Sequence, residues 1–114
     1  MSLNAPEFIE GKSIPSANIL TQALLISDNV KFATLQIMAI NDTTSGDATV
    51  RIAVSDATNA TNVARTDYIE TGDKIKPHGK LTEFGVLVKG NQRVYVQSSN
   101  GNVIFRVTGL AHFD

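Results

Sequence analysis

Thr49-Val50-Arg51-Ile52-Ala53-Val54-Ser55 alternates apolar and polar side chains almost without a break. A period of two is the period of a β-strand, whose successive side chains point to opposite faces of its sheet. Val50, Ile52 and Val54 are therefore expected in a core, with Thr49, Arg51, Ala53 and Ser55 facing out. A slip of one residue would bury Arg51, so the register of this strand is tightly specified.

The pattern recurs on both sides. Downstream, Leu81 to Val88, Arg93 to Gln97 and Val103 to Thr108 read as strands. They are cut apart by Gly90-Asn91 and by Ser99-Asn100-Gly101-Asn102, whose Asn-Gly pair is a strong hairpin signal. Asp67-Tyr68-Ile69-Glu70 reads as a short strand, and Pro77-His78-Gly79 as a turn. Upstream, Lys31 to Ile40 is a long strand. Phe32, Thr34, Gln36, Met38 and Ile40 share one face of it; Ala33, Leu35, Ile37 and Ala39 share the other. Apolar residues on both faces predict a central strand. Ile19 to Ile26 fits a strand or a short helix. Asn41 to Asp47 and Asp56 to Thr66 are dense in turn formers and read as loops.

Seven or eight such strands, spaced about ten residues apart, predict an all-β chain. The expected architecture is a single antiparallel β-sandwich over residues 17–114, of immunoglobulin-like or jelly-roll topology. Residues 1–16 hold Pro6, Gly11 and Pro15 and show no periodicity. They read as an unordered chain end or, the sharper reading, as an extended N-terminal arm. Its apolar residues Phe8, Ile9 and Ile14 have little use in a solvated tail and are candidates for docking on a neighbouring subunit.

At 114 residues the chain fits one domain with a real core. Ten Lys and Arg balance eleven Asp and Glu, for a net charge of −1. That leaves no basic field for nucleic acid or an anionic membrane. Cysteine is absent, which excludes disulfides, thiolate zinc sites and cysteine nucleophiles. The first residues lack the charged and apolar regions of a signal peptide. The apolar stretch at Ile19–Ile26 is too short to cross a bilayer.

Candidate chemistry is sparse. His78 and His112 stand alone, without metal-ligand spacing. Asp42 and Asp47 bracket a Gly-containing loop but lack the alternating oxygen ligands of a calcium loop; capping their own backbone is the better reading. Asp67, Glu70 and Asp73 crowd one short strand and turn, and read as solvated charge. Asn41-Asp42-Thr43 and Asn59-Ala60-Thr61 match the glycosylation pattern, as expected by chance in a chain rich in Asn and Thr. No nucleophile elbow or phosphate-binding glycine loop occurs. Neither an enzyme nor a cofactor is expected. Tyr68 and Tyr95 could serve as half-exposed partner contacts.

The stretch from Asp67-Tyr68-Ile69-Glu70 through Ile75-Lys76-Pro77-His78-Gly79, Leu81 to Val88 and Val94-Tyr95-Val96 to Val103–Leu110 resembles small β-sandwich virion structural proteins of tailed bacteriophages. Val50 to Asp56 suits the same pattern. The likeness spans residues 30–111 and rests on strands and turns, so it carries over no catalytic residue. It implies a virion location, after assembly in the host cytoplasm. The implied role is capsid decoration, through self-association as a homo-oligomer (a trimer is favoured) and contact with the major capsid protein. A tail, fibre or baseplate component that touches other virion proteins or a host receptor is the alternative.

Overall fold

The alternating stretch forms the strand Ala48–Ser55, fourth of eight. A computed structural model describes residues 5–113. Its strands are β1 (Glu7–Ser13), β2 (Thr21–Leu25), β3 (Phe32–Asn41), β4 (Ala48–Ser55), β5 (Tyr68–Ile75), β6 (Lys80–Lys89), β7 (Arg93–Ser98) and β8 (Val103–His112). They make two four-stranded antiparallel sheets. The front sheet has the order β1-β8-β3-β6 and the back sheet β2-β7-β4-β5. The Ile19–Ile26 stretch is thus a strand, with a register shift between Gln22 and Leu24.

The pairings follow one rule. β1 lies on β8, β2 on β7, β3 on β6 and β4 on β5. The chain is one long ribbon folded back at the β4–β5 connection and then rolled up. Rolling adds two further ladders, β3 on β8 and β4 on β7. Of the two expected topologies this is the jelly roll. An immunoglobulin sandwich divides its strands four and three, in another order.

The expected boundary at residue 16 does not separate an arm from the sandwich. Residues 7–13 are an edge strand of the front sheet, in register with β8 from Glu7 opposite Ala111 to Ser13 opposite Phe105. Residues 1–4 and Asp114 lie outside the described residues. Glu7, Glu10, Lys12 and Gly11 mask the strand in the sequence, since charges and glycine are what edge strands carry to avoid pairing with other chains. Gly11 has a further task. A Cβ there would overlap the carbonyl oxygen of Ala23, so its bare backbone lets β1 and β2 close one side of the sandwich.

The core lies between the sheets. Ala33, Leu35, Ile37 and Ala39 of β3 meet Val50 and Ile52 of β4, Val94 and Val96 of β7, and Val103, Phe105 and Val107 of β8, all buried. Val54 is partly buried and packs on the same cluster. β3 is central in the hydrogen-bonded sense, between β8 and β6. Only one of its faces enters the core.

Candidate interaction surface

The two outward faces of the sandwich differ. The back face is partly roofed by its own chain. Ala53 and Ser55 face out from β4, as their phase requires, yet both are buried. Residues 56–67 fold over them as two 3-10 turns, Ala60–Asn62 and Arg65–Asp67. Tyr95, opposite Ala53, lies under this roof, and its hydroxyl donates to the Ala57 carbonyl at 2.7 Å. Burial pushes the Tyr95 phenol pKa up, with Arg93 opposing. The Asp67 carboxylate accepts from Ser55 Oγ at 2.6 Å and from the Ala64 N–H at 3.0 Å. Tyr95 is therefore not the half-exposed contact expected of it; it pins the loop. Tyr68 is half-buried on the same face, with the Arg51 guanidinium 4.2 Å from its ring centroid.

The front face has no roof among the described residues. One cross-strand row reads Phe8 (β1), Leu110 (β8), Thr34 (β3), Leu87 (β6). Phe8 is 65% exposed, Leu110 48% and Leu87 69%. In the next row Phe32, 38% exposed, stacks on His112 with ring centroids 4.5 Å apart. On the other side of the row β6 bulges. Its register jumps from Leu35 opposite Val86 to Ile37 opposite Glu83. Gly85 takes φ +66° there, a left-handed conformation that glycine adopts at little cost. The bulge turns Phe84 outward, 73% exposed. Phe8, Thr34, Phe84, Leu110 and His112 line a shallow groove of about 430 Å³.

The face ends in a polar margin. Arg106 Nε and Nη2 donate to one Glu10 carboxylate oxygen at 3.1 and 2.8 Å. Lys12 Nζ stands 3.7 Å from the other. The Arg106 hydrogen bonds hold the Glu10 carboxyl below the ordinary carboxylate range.

Of the contact residues expected from sequence, only Phe8 belongs to this face. Ile9 points inward and packs on the core. Ile14 is exposed beyond the end of β1. Phe32, Phe84, Leu87 and Leu110 were missed as contacts. For Phe32, Leu87 and Leu110 the signal was available, since each is an apolar residue on the phase opposite to its strand's core residues; Phe84 shares the parity of Val86 and Val88 and is turned outward only by the bulge.

The remaining polar groups are occupied locally. Asn41 is buried, and its Nδ2 donates to the carbonyls of Gly46 and Ile75 at 3.1 and 2.9 Å. The Asn41–Asp47 loop is thus tied by an amide. His78 is an exposed turn residue at φ +60°, and its N–H donates to the Asn41 carbonyl at 2.8 Å. Glu70 Oε1 accepts from the N–H groups of Thr71, at 3.1 Å, and Asp73, at 3.1 Å. Glu83, at the β6 edge, has its pKa raised by burial first and then by Glu70 and Asp73. Among the described residues no group of three His, Cys, Asp or Glu is placed to hold a metal ion.

No family model and no curated protein matches the sequence. Solved structures do match in shape. A chain of the T13 IBDV viral particle superposes with a TM-score of 0.50 at 6% identity, over 97% of this chain and 32% of that one. A pentameric capsid protein isolated from metagenomic phage sequences gives a TM-score of 0.43 at 20% identity, over 93% of this chain and 61% of that one. This chain therefore spans about a third of the first and under two thirds of the second. The likeness to the first is one of fold.

Proposed function

We propose that this protein is a structural component of a tailed-phage virion, working by contact rather than catalysis. One observation carries the reading: the 56–67 loop covers the Ala53–Tyr95 part of the back face, whereas among the described residues nothing covers the apolar row of the front face. Taking about 200 Å² for a whole large apolar side chain, the five exposed ones present roughly 600 Å². The largest apolar patch on a typical monomer is about 300–600 Å² and is often functional. A face at the top of that range fits a contact surface. The jelly roll is a fold of viral shells, and also of lectins and cupins, so the fold supports the reading by analogy. The sequence likeness to phage virion proteins narrows it. Within the virion, capsid decoration through a homo-oligomer seated on the major capsid protein is the favoured placement, with a tail component as the alternative.

Mass spectrometry of particles purified from the phage that encodes this chain, with density mapping of the same particles, tests the reading. Stoichiometric presence on the head supports decoration, and presence at the tail supports the alternative. Absence from purified particles refutes the virion role.

A further inference from the structure

We propose that the front face binds a second copy of itself, face to face, about a two-fold axis that runs along the strands between β8 and β3. This rests on the contact role proposed above and names its partner.

Three observations support a second copy. The first is area. The exposed apolar side chains supply roughly 600 Å², and Thr34, Gln36 and Thr108 between them bring the face close to the ~800 Å² per partner of a standard stable interface. A copy of the same face therefore suffices without a larger partner.

The second is self-complementarity. A two-fold along the strands exchanges β1 with β6 and β8 with β3 while keeping each row in place. In the row Phe8-Leu110-Thr34-Leu87, Leu110 of each copy then meets the smaller Thr34 of the other. Phe8 meets Leu87, so every member of the row finds an apolar or small partner. Such an interface is isologous and closes on itself.

The third is charge. The margin row runs Lys12, Arg106, Met38, Thr82 across β1, β8, β3 and β6. Both of its charges stand on one half. The same axis sets Lys12 over Thr82 and Arg106 over Met38. Glu10, already paired with Arg106, falls opposite the Phe84-Gly85 bulge. Along these rows no like charges meet, a condition that a wrong partner would have to satisfy by chance.

The test is sedimentation equilibrium of the full chain over a range of concentrations, with Leu87→Glu and with Ile69→Glu as control. Ile69 is an exposed apolar residue of β5 in the back sheet. Circular dichroism and thermal melts verify that both variants fold. The wild type and Ile69→Glu should reach twice the 12.2 kDa chain mass, and Leu87→Glu should weaken dimerisation at least tenfold. A wild type that stays monomeric to about 1 mM overturns the proposal, as does a dimer indifferent to Leu87→Glu or an assembly of three or five chains. The virion reading fails separately. A monomer found in purified particles overturns only the self-docking, and a dimer absent from particles overturns only the virion role.

Discussion

Replacing Gly109 by alanine tests how closely the two central strands of the front sheet approach. Gly109 sits in mid-β8, between Ile9 of β1 and Leu35 of β3. Its φ is not in the left-handed region, so alanine has no conformational objection. Removing a glycine from a strand should on that count stabilise by about 0.5–1 kcal/mol. Space decides otherwise. The new Cβ would overlap the Thr34 carbonyl oxygen and lie 2.8 Å from Leu35 Cδ2 and 3.0 Å from Leu35 Cα. Relief requires the backbone of β3 to retreat in the middle of a ladder that runs from Phe32 to Asn41. Overpacking of this kind costs about 1–3 kcal/mol, and each lengthened ladder bond adds about 0.5–1.5 kcal/mol. The net expectation is a loss of about 2–3 kcal/mol. With a urea m-value of about 1–3 kcal/mol/M, the unfolding midpoint should fall by roughly 1 M or more. Gly85→Ala supplies the contrast: no atom lies within 4 Å of its added Cβ, and it pays only the left-handed penalty of about 1–2 kcal/mol. A Gly109→Ala protein as stable as wild type, at an unchanged m-value, would refute the close approach.

Three further outcomes are expected. Tyr95→Phe removes the hydrogen bond to Ala57 and should cost about 1 kcal/mol; trypsin should then cut faster after Arg65 in the loosened roof, as limited proteolysis would reveal. Glu83→Gln should stabilise the protein at neutral pH by less than about 1 kcal/mol, since the site is solvent-screened. The Glu83 pKa is raised on folding from 4.5, so its ionised form opposes the fold; that cost is absent below about pH 4.5 and complete above the folded pKa. Denaturation of wild type and variant should accordingly converge on acidification, and a gain that persisted at about pH 4 would contradict this origin. Deleting residues 1–13 should destabilise the sandwich by about 1–3 kcal/mol, through lost burial of Ile9 and of the β8 ladder; an unchanged melting curve would mean that β1 is dispensable.

Most of the strands were legible because each carries its core residues in one phase. Ala33-Leu35-Ile37-Ala39 and Val103-Phe105-Val107 each report a buried face directly. Pairing was not legible, because alternation says which side is inside and nothing about which strand is beside. The front face escaped for a related reason. The second apolar phase of β3 fits burial on both sides as well as it fits an exposed patch, and the Phe84-Gly85 bulge breaks the count along β6. Tyr95 was misplaced because its burial comes from residues 56–67, a loop with no periodicity to read. β1 was hidden by its own charges.

The rolled ribbon also sets an order in time. β8 pairs with both β1 and β3, so the front sheet cannot close until residue 112 has been synthesised. β4 and β5, paired neighbours in the sequence, can meet before β8 is made. β1, made well before β8, is among the last to find its partner. At roughly 5–20 residues per second it waits about 5–20 s. Through that interval an apolar strand would pair with whatever nascent edge it met. Glu7, Glu10, Gly11 and Lys12 make β1 a poor partner for strangers, and the same residues accept β8 once that strand arrives.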